Sequence, residues 1–255
     1  SGDFGFEKES AEVFLSDKSE VSVDMLTVGG AGVTAFVGLN GPYKGDRNGD
    51  GYITPADDLS EDALGLSLGG VDFGLALMTE QITEGDTKSA RKWTSLKAKI
   101  GKVEFVGLED FTVSGSGLEV EINQASSVDG PVVNYKNKGL DIITGTATDD
   151  VMALDMDGSE GELLKASGNL ELGVGDFFHV RGDFGFEKKP AEVFLSDGSK
   201  VSVDMLTVGG MDVTAFAGLN GNSSDPLGLS MGGVGFGLAL MTDESNSSRK
   251  WTSLK

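Results

Sequence analysis

The sequence of 255 residues contains no cysteine, one histidine and only five prolines. The lack of cysteine excludes disulfide bonds and thiolate metal sites. Basic residues are also scarce, since 20 lysines and arginines stand against 41 aspartates and glutamates. The resulting net charge of -21 argues against nucleic acid and anionic membrane surfaces as partners. No apolar run approaches the ~20 residues that span a bilayer, so we expect no membrane insertion.

The most informative feature present is a long internal repeat. Residues 2–40 match residues 182–220 at all but seven of 39 positions, with a constant offset of 180. After a gap the match resumes and continues to the last residue. We divide the chain into a first copy (1–97), the remainder of the period (98–181) and a second, truncated copy (182–255). This pattern is typical of a window within a longer tandem array, and such arrays usually build length, surface or avidity.

Alternation of apolar and polar residues predicts a nearly all-β chain. Gly117 to Asn123 alternates strictly, as a strand with one solvated face does. Glu192 to Leu206 reads as two strands joined by a tight turn at Asp197-Gly198. Lys18 replaces that glycine in the first copy, so we predict a longer or less demanding turn there. Short helices are expected only at 55–63 and 160–166.

Glycines recur between apolar residues where the chain would bend, and this favours an elongated stack of β repeats. We expect a β-solenoid-like arrangement, in which each rung covers the unpaired edge of its neighbour. A row of β-sandwich or meander repeats is the alternative.

One segment has the spacing of a known metal site. Residues 46–57 fit the twelve-residue calcium loop position by position, with Gly51 at the sharp turn. A hard cation takes six to eight oxygen ligands, and this spacing supplies them from one loop. Position twelve is aspartate rather than glutamate, which resembles the dockerin-type loop. The predicted Ca²⁺ ligands are Asp46, Asn48, Asp50, Tyr52 (through its carbonyl), Thr54 and Asp57.

The calcium loop is an insertion in one copy of the repeat. It lies within residues 42–62, whereas a short segment around Asp225 takes its place in the second copy. Across the insertion the offset between the copies falls from 180 to 163. The fold can therefore do without the loop, which is predicted to stiffen one junction.

Other candidate residues have a structural reading as well as a functional one. His179 could serve a catalytic triad, but its strand-like apolar surroundings favour a packing role. The pairs Glu109/Asp110, Asp149/Asp150 and Glu119/Glu121 could serve a glycosidase or lyase, although such pairs are expected by chance among 41 acidic residues. Trp93 and Trp251 occupy equivalent positions and could contact glycan rings, whereas packing at a strand start is the alternative.

The tandem unit, the Gly-Asp-Phe-Gly-Phe-Glu-Lys segments and the loop at 46–57 together resemble the repeat regions of giant bacterial surface proteins of the adhesin type. This resemblance implies an extracellular or cell-surface setting and a non-enzymatic role as a stalk, spacer or filament building block stiffened by calcium. The expected partners are neighbouring repeats or like chains, and cell-surface or matrix glycans. The alternative function is a carbohydrate-binding or carbohydrate-active β-helix module.

Overall fold

The computed structural model describes residues 1–41, 62–82, 89–108, 110–127, 130–146, 150–221 and 223–255. Nearly all regular structure in these ranges is β, as predicted. The strands are β1 (Asp3–Phe14), β2 (Glu20–Leu39), β3 (Leu64–Glu80), β4 (Lys92–Val106), β5 (Phe111–Ala125), β6 (Leu140–Ile143), β7 (Val151–Leu154), β8 (Leu163–Val174), β9 (Phe178–Phe194), β10 (Lys200–Leu219), β11 (Leu227–Asp243) and β12 (Lys250–Leu254). Within the same ranges the one helical segment is a 3₁₀ turn at Gly158–Glu160, and no helix could span a membrane.

Ten of the strands form one antiparallel sheet in the order β1-β2-β3-β4-β5-β8-β9-β10-β11-β12. Each strand pairs with the next one along the chain, apart from the excursion through β6 and β7 between β5 and β8. This connectivity is that of a meander, so the solenoid-like stacking is not confirmed. The expected helix at 160–166 is wrong, because Leu163 onward pairs with β5 and β9 on both sides.

The two copies of the repeat occupy equivalent places in this sheet. In β2–β3 the residue Met25 pairs with Met78, and in β10–β11 Met205 pairs with Met241. Both strand pairs also carry a register shift at the same place, after Gly30 and Gly210. In the sheet β9 lies six strand positions from β1, so the copies run in the same direction and turn the same face to one side. At a strand spacing of ~4.8 Å, the period advances by about 29 Å across the sheet.

The main hydrophobic core lies between one face of β1–β5 and the excursion that contains β6 and β7. Side chains at alternate strand positions supply the sheet half of this core, as the two-residue period requires. The residues of the core are Leu15, Val21, Val23, Met25, Ala76, Met78, Trp93, Val133, Tyr135, Ile142, Leu154, Met156 and Leu163. We call residues 130–146 and 150–158 the covering segment, because they close this face.

The hairpin turn between the first two strands of each copy is the same in both. Leu15 N–H donates to Ser19 O at 2.9 Å, and Leu195 N–H donates to Ser199 O at 2.8 Å. Lys18 adopts a φ of 70°, close to the 83° of Gly198. The expectation of a different turn in the first copy is therefore wrong: the lysine takes the left-handed conformation that glycine adopts more easily.

Candidate functional site: a covered and an uncovered sheet face

The predicted calcium ligands, Asp46 to Asp57, lie outside the described residues, and so do Glu109 and Asp149. The strands place this loop in the connection between the end of β2 at Leu39 and the start of β3 at Leu64. Among the described residues, no group of three or more His, Asp or Glu side chains is arranged to hold a metal ion. The calcium site remains a prediction from sequence.

The acidic pair Glu119/Glu121 is part of a cross-strand ladder of opposite charges. Glu121 lies 3.5 Å from Lys97 and 3.4 Å from Lys165, and Glu119 lies 3.8 Å from Lys99. Each carboxylate therefore faces an ammonium group on a neighbouring strand, an arrangement that stabilises strand register.

Trp93 is a core residue rather than an exposed glycan platform. Only 2% of it is exposed. Its Nε1 donates a hydrogen bond of 2.8 Å to the carbonyl oxygen of Pro131, and the Arg91 guanidinium lies 5.2 Å from the ring centroid. Arg91 in turn makes a two-pronged contact with Glu80, at 2.8 and 2.7 Å. The packing interpretation is thus confirmed for Trp93, and the indole is unavailable to a glycan.

The covering segment is fixed to the sheet by backbone bonds as well as by apolar contact. At the corner of the first hairpin, Ser16 N–H donates to Val132 O and Asn134 N–H donates to Phe14 O, both at 2.8 Å. Leu15 forms an isolated β-bridge with Val133 between those bonds. Because these bonds fix its register, the segment docks in one orientation across β1–β4.

A buried polar chain crosses the same interface. The Tyr135 hydroxyl donates to Ser95 Oγ at 2.9 Å, and Ser95 Oγ donates to Asn123 Oδ1 at 3.1 Å. Asn123 Nδ2 completes the chain by donating to Val133 O at 2.7 Å. Burial raises the pKa of Tyr135 well above its ordinary value, so the phenol stays protonated and acts as a donor. The chain is satisfied at every member, which makes the docking specific.

Three glycines allow the covering segment to approach the sheet backbone. Gly5, Gly29 and Gly74 are paired side by side on β1, β2 and β3. A Cβ atom on Gly5 or Gly29 would collide with the carbonyl oxygen of Ile143, and one on Gly74 would lie 3.0 Å from Met152 Cβ. Close backbone approach is a recognised reason for glycine within a strand. The alternation of apolar and polar residues gave no sign of this stripe.

The second copy presents the same face, and no described residues cover it. Leu15, Met25, Met78 and Trp93 are at most 2% exposed in the first copy. Their counterparts Leu195, Met205, Met241 and Trp251 are half-buried, and so are Val201 and Ala239, whereas Val203 stays fully buried. An open groove of about 530 Å³ lies over the second glycine stripe. The residues that line it include Gly185, Gly209, Gly237, Thr207, Ala239 and Ser253.

His179 lies on β9, where it packs over Gly173 and pairs across the sheet with Phe216. Its Nε2 is buried and has no hydrogen-bond partner among the described residues. This position between neighbouring strands is consistent with the packing role that its sequence context favours.

No family model, curated protein or solved structure matches this chain.

Proposed function

We propose that this chain is a non-enzymatic structural repeat of an extracellular or cell-surface protein. It acts as a stalk, spacer or filament building block, and calcium at Asp46 to Asp57 stiffens it locally. The observation that carries the proposal is the single sheet that runs through both copies of the repeat without a break.

The pairing of β9 supports extension of the sheet from repeat to repeat. This strand is hydrogen-bonded to β8 on one side and to β10 on the other. Its counterpart β1 pairs only with β2 among the described strands, so one edge of β1 is open. The edge that β1 leaves open is the edge that β8 fills in the second copy. Repeats of this kind join through a complete row of backbone hydrogen bonds.

The chemistry of the surface suits the same role. Cross-strand pairs of lysine and glutamate, such as Lys99 with Glu119 and Lys200 with Glu192, are exposed on the sheet. They favour correct strand register more than they add free energy of folding. The high net negative charge keeps neighbouring chains apart in solution and attracts cations.

Small-angle X-ray scattering tests the proposal directly. The maximum dimension of this chain is compared with that of a version extended by one more 180-residue period. A sheet that continues lengthens by about 29 Å, whereas separate globular repeats on a linker do not lengthen by a fixed step. Compact particles, with a radius of gyration of about 18 Å for this chain and about 22 Å for the extended version, would contradict the proposal.

The role of calcium is tested in the same experiment. Scattering is recorded in calcium and again in chelator, with Asp50→Ala as the matched variant that lacks a central ligand. We expect the wild-type chain to lengthen or loosen in chelator, and the variant to be insensitive to calcium. A wild-type profile identical in both buffers would remove calcium from the proposal and leave the sheet-based part intact.

A further inference from the structure

We infer that the uncovered face of the second copy is a docking site for a second copy of the covering segment. The inference goes beyond a stalk or spacer role, because it names an interaction surface and the polypeptide that fits it. It does not depend on calcium or on the length of the assembly.

The apolar part of the surface is the same in both copies. Leu195, Val201, Met205, Met241 and Trp251 are identical in type to the residues that the covering segment buries in the first copy. They lie in the same register, since the pairing of Met205 with Met241 repeats that of Met25 with Met78. Half-buried methionine, valine and tryptophan side chains on one sheet face favour a partner that removes them from water.

The polar groups that fix the covering segment are also repeated. Trp93 Nε1 and Ser95 Oγ bind Pro131 and Tyr135 in the first copy. Their counterparts, Trp251 Nε1 and Ser253 Oγ, have no hydrogen-bond partner among the described residues, and Ser253 is exposed.

A basic group is repeated as well. Lys97 Nζ lies 2.6 Å from Asp155 of the covering segment. Lys255 is the counterpart of Lys97 and lines the groove. A second covering segment would therefore meet the same donors, placed on the same strands.

The glycine stripe identifies the occupant as a polypeptide backbone. Gly185, Gly209 and Gly237 are the counterparts of the three glycines that the carbonyl of Ile143 and the side chain of Met152 approach. A Cβ on Gly185 or Gly237 would meet nothing within 4 Å, and one on Gly209 would come no closer than 3.9 Å. The fold of the second copy thus does not require glycine at these positions. Docking of another backbone does require it, because a side chain would block the approach.

The site is less complete than the one in the first copy. Asn123 and Leu163 belong to the first-copy site on β5 and β8, and no described strand pairs with the outer side of β12 in the second copy. We therefore expect binding that is weaker than the intramolecular docking and that is saturable, with a defined orientation.

Fluorescence anisotropy tests the proposal with a labelled synthetic peptide of residues 130–158 as the probe and the whole chain as the acceptor. We expect saturable binding, and at least tenfold weaker binding to Gly209→Val, because a side chain there blocks the approach of the Ile143 carbonyl. Ser202→Val is the matched control, since it adds a β-branched residue to the exposed, opposite face of the same strand. It should bind like the wild type.

Cross-linking checks the orientation, and the absence of native cysteine makes it simple. The chain with Gly237→Cys is mixed with the peptide carrying Met152→Cys or, as a control, Val151→Cys on the other face of β7. Disulfide bonds need Cβ atoms roughly 3.8 Å apart, so docking in the first-copy orientation favours the Met152 peptide. We expect at least tenfold faster cross-linking for that pair.

Three results would overturn the inference: no saturable binding up to millimolar peptide, equal affinity for Gly209→Val and wild type, or equal cross-linking of the two peptides. Circular dichroism of Gly209→Val establishes that it is folded, and the cross-linking arm does not use that variant. Failure of peptide docking would leave the scattering test of the proposed function unaffected. Failure of the scattering test would likewise leave the docking inference unaffected.

Discussion

Trp93 Nε1 donates a 2.8 Å hydrogen bond to the carbonyl oxygen of Pro131, and this bond joins the start of β4 to the covering segment 38 residues later. The indole also fills the centre of the core, at 2% exposure. One residue thus supplies both apolar area and a directional bond. Its counterpart Trp251 pairs with the equivalent methionine, Met241, but no described residues cover it.

The buried polar chain should couple the covering segment to the sheet. We expect Tyr135→Phe to lower the free energy of unfolding by about 1 kcal/mol, because Ser95 Oγ loses its donor. Ser95→Ala should cost about 2 kcal/mol, since it leaves the buried Tyr135 hydroxyl and Asn123 without their partner. The double variant should lose less than the sum, as measured by urea denaturation.

Ser253→Ala is the control for this cycle, because Ser253 is the exposed counterpart of Ser95. Its effect should stay within about 0.5 kcal/mol. Strictly additive single changes would show that the chain of hydrogen bonds does not act as a unit.

The two glycine stripes should respond differently to the same substitution. Gly29→Val forces a side chain into the Ile143 carbonyl, so we expect a loss of about 2 kcal/mol or more and faster proteolysis of the covering segment. Gly209→Val meets open space and should change stability by no more than about 0.5 kcal/mol. Limited proteolysis and thermal unfolding of the two purified variants make the comparison. Equal destabilisation would refute the role assigned to Gly29.

Replacing Lys18 by glycine should stabilise the turn. A non-glycine residue in the left-handed region costs roughly 1 kcal/mol, and Lys18 has a φ of 70°. We therefore expect Lys18→Gly to raise the free energy of unfolding by about 1 kcal/mol. The reciprocal change, Gly198→Lys, should lower it by about the same amount. An unchanged unfolding midpoint in both variants would show that the turn relaxes without strain.

Acid should loosen the covering segment through Asp157. A hydrogen bond from Lys136, with further bonds from Ser159, lowers the pKa of Asp157 from 3.8 to about 2. The contribution to stability is therefore complete above about pH 4, the range of an unfolded carboxyl, and is lost as the pH falls through about 2. Asp157→Asn should be less stable than wild type at pH 6, and the difference should vanish near pH 2.

Unfolding by chemical denaturant at a series of pH values measures this effect. Lys136→Met is the companion variant, because it removes the main cause of the lowered pKa and should shift the acid transition upward. A difference between wild type and Asp157→Asn that persists unchanged at pH 2 would disprove the linkage.

Calcium binding should depend on the loop of the first copy alone. Asp50→Ala removes a side-chain oxygen at position five of the loop, so we expect at least tenfold weaker binding by isothermal titration calorimetry. Asp225→Ala, in the segment that takes the place of the loop in the second copy, should leave binding unchanged. Retention of wild-type affinity in Asp50→Ala would show that the ion binds elsewhere.

Local features of the fold were readable from the sequence, because each depends on neighbouring residues. Alternation along Gly117 to Asn123 lies within β5, and the turn at Asp197-Gly198 joins β9 and β10. Strand partners were not readable, since alternation fixes which face is buried but not which strand lies alongside. The pattern at 160–166 predicted a helix, but this segment leads into β8, which pairs with β5 and β9. The periodicity of a segment does not reveal such pairing with distant strands.

The covered face could not be predicted because its contacts join distant parts of the chain. Pro131 accepts a hydrogen bond from Trp93, 38 residues earlier in the chain, and Val133 pairs with Leu15, 118 residues earlier. One signal was available: Gly5, Gly29 and Gly74 recur as Gly185, Gly209 and Gly237, each on a strand where glycine is otherwise unfavourable. A glycine repeated without a turn indicates that another backbone comes close.

The direction of the strands has a mechanical consequence. Successive repeats follow one another across the sheet, so a pull along the series acts at right angles to the strands. The backbone bonds then open one after another from an edge, rather than all at once. Detaching one strand of 20 residues, such as β2, releases up to roughly 68 Å of chain. Under load the sheet would therefore lengthen in small steps as successive strands detach.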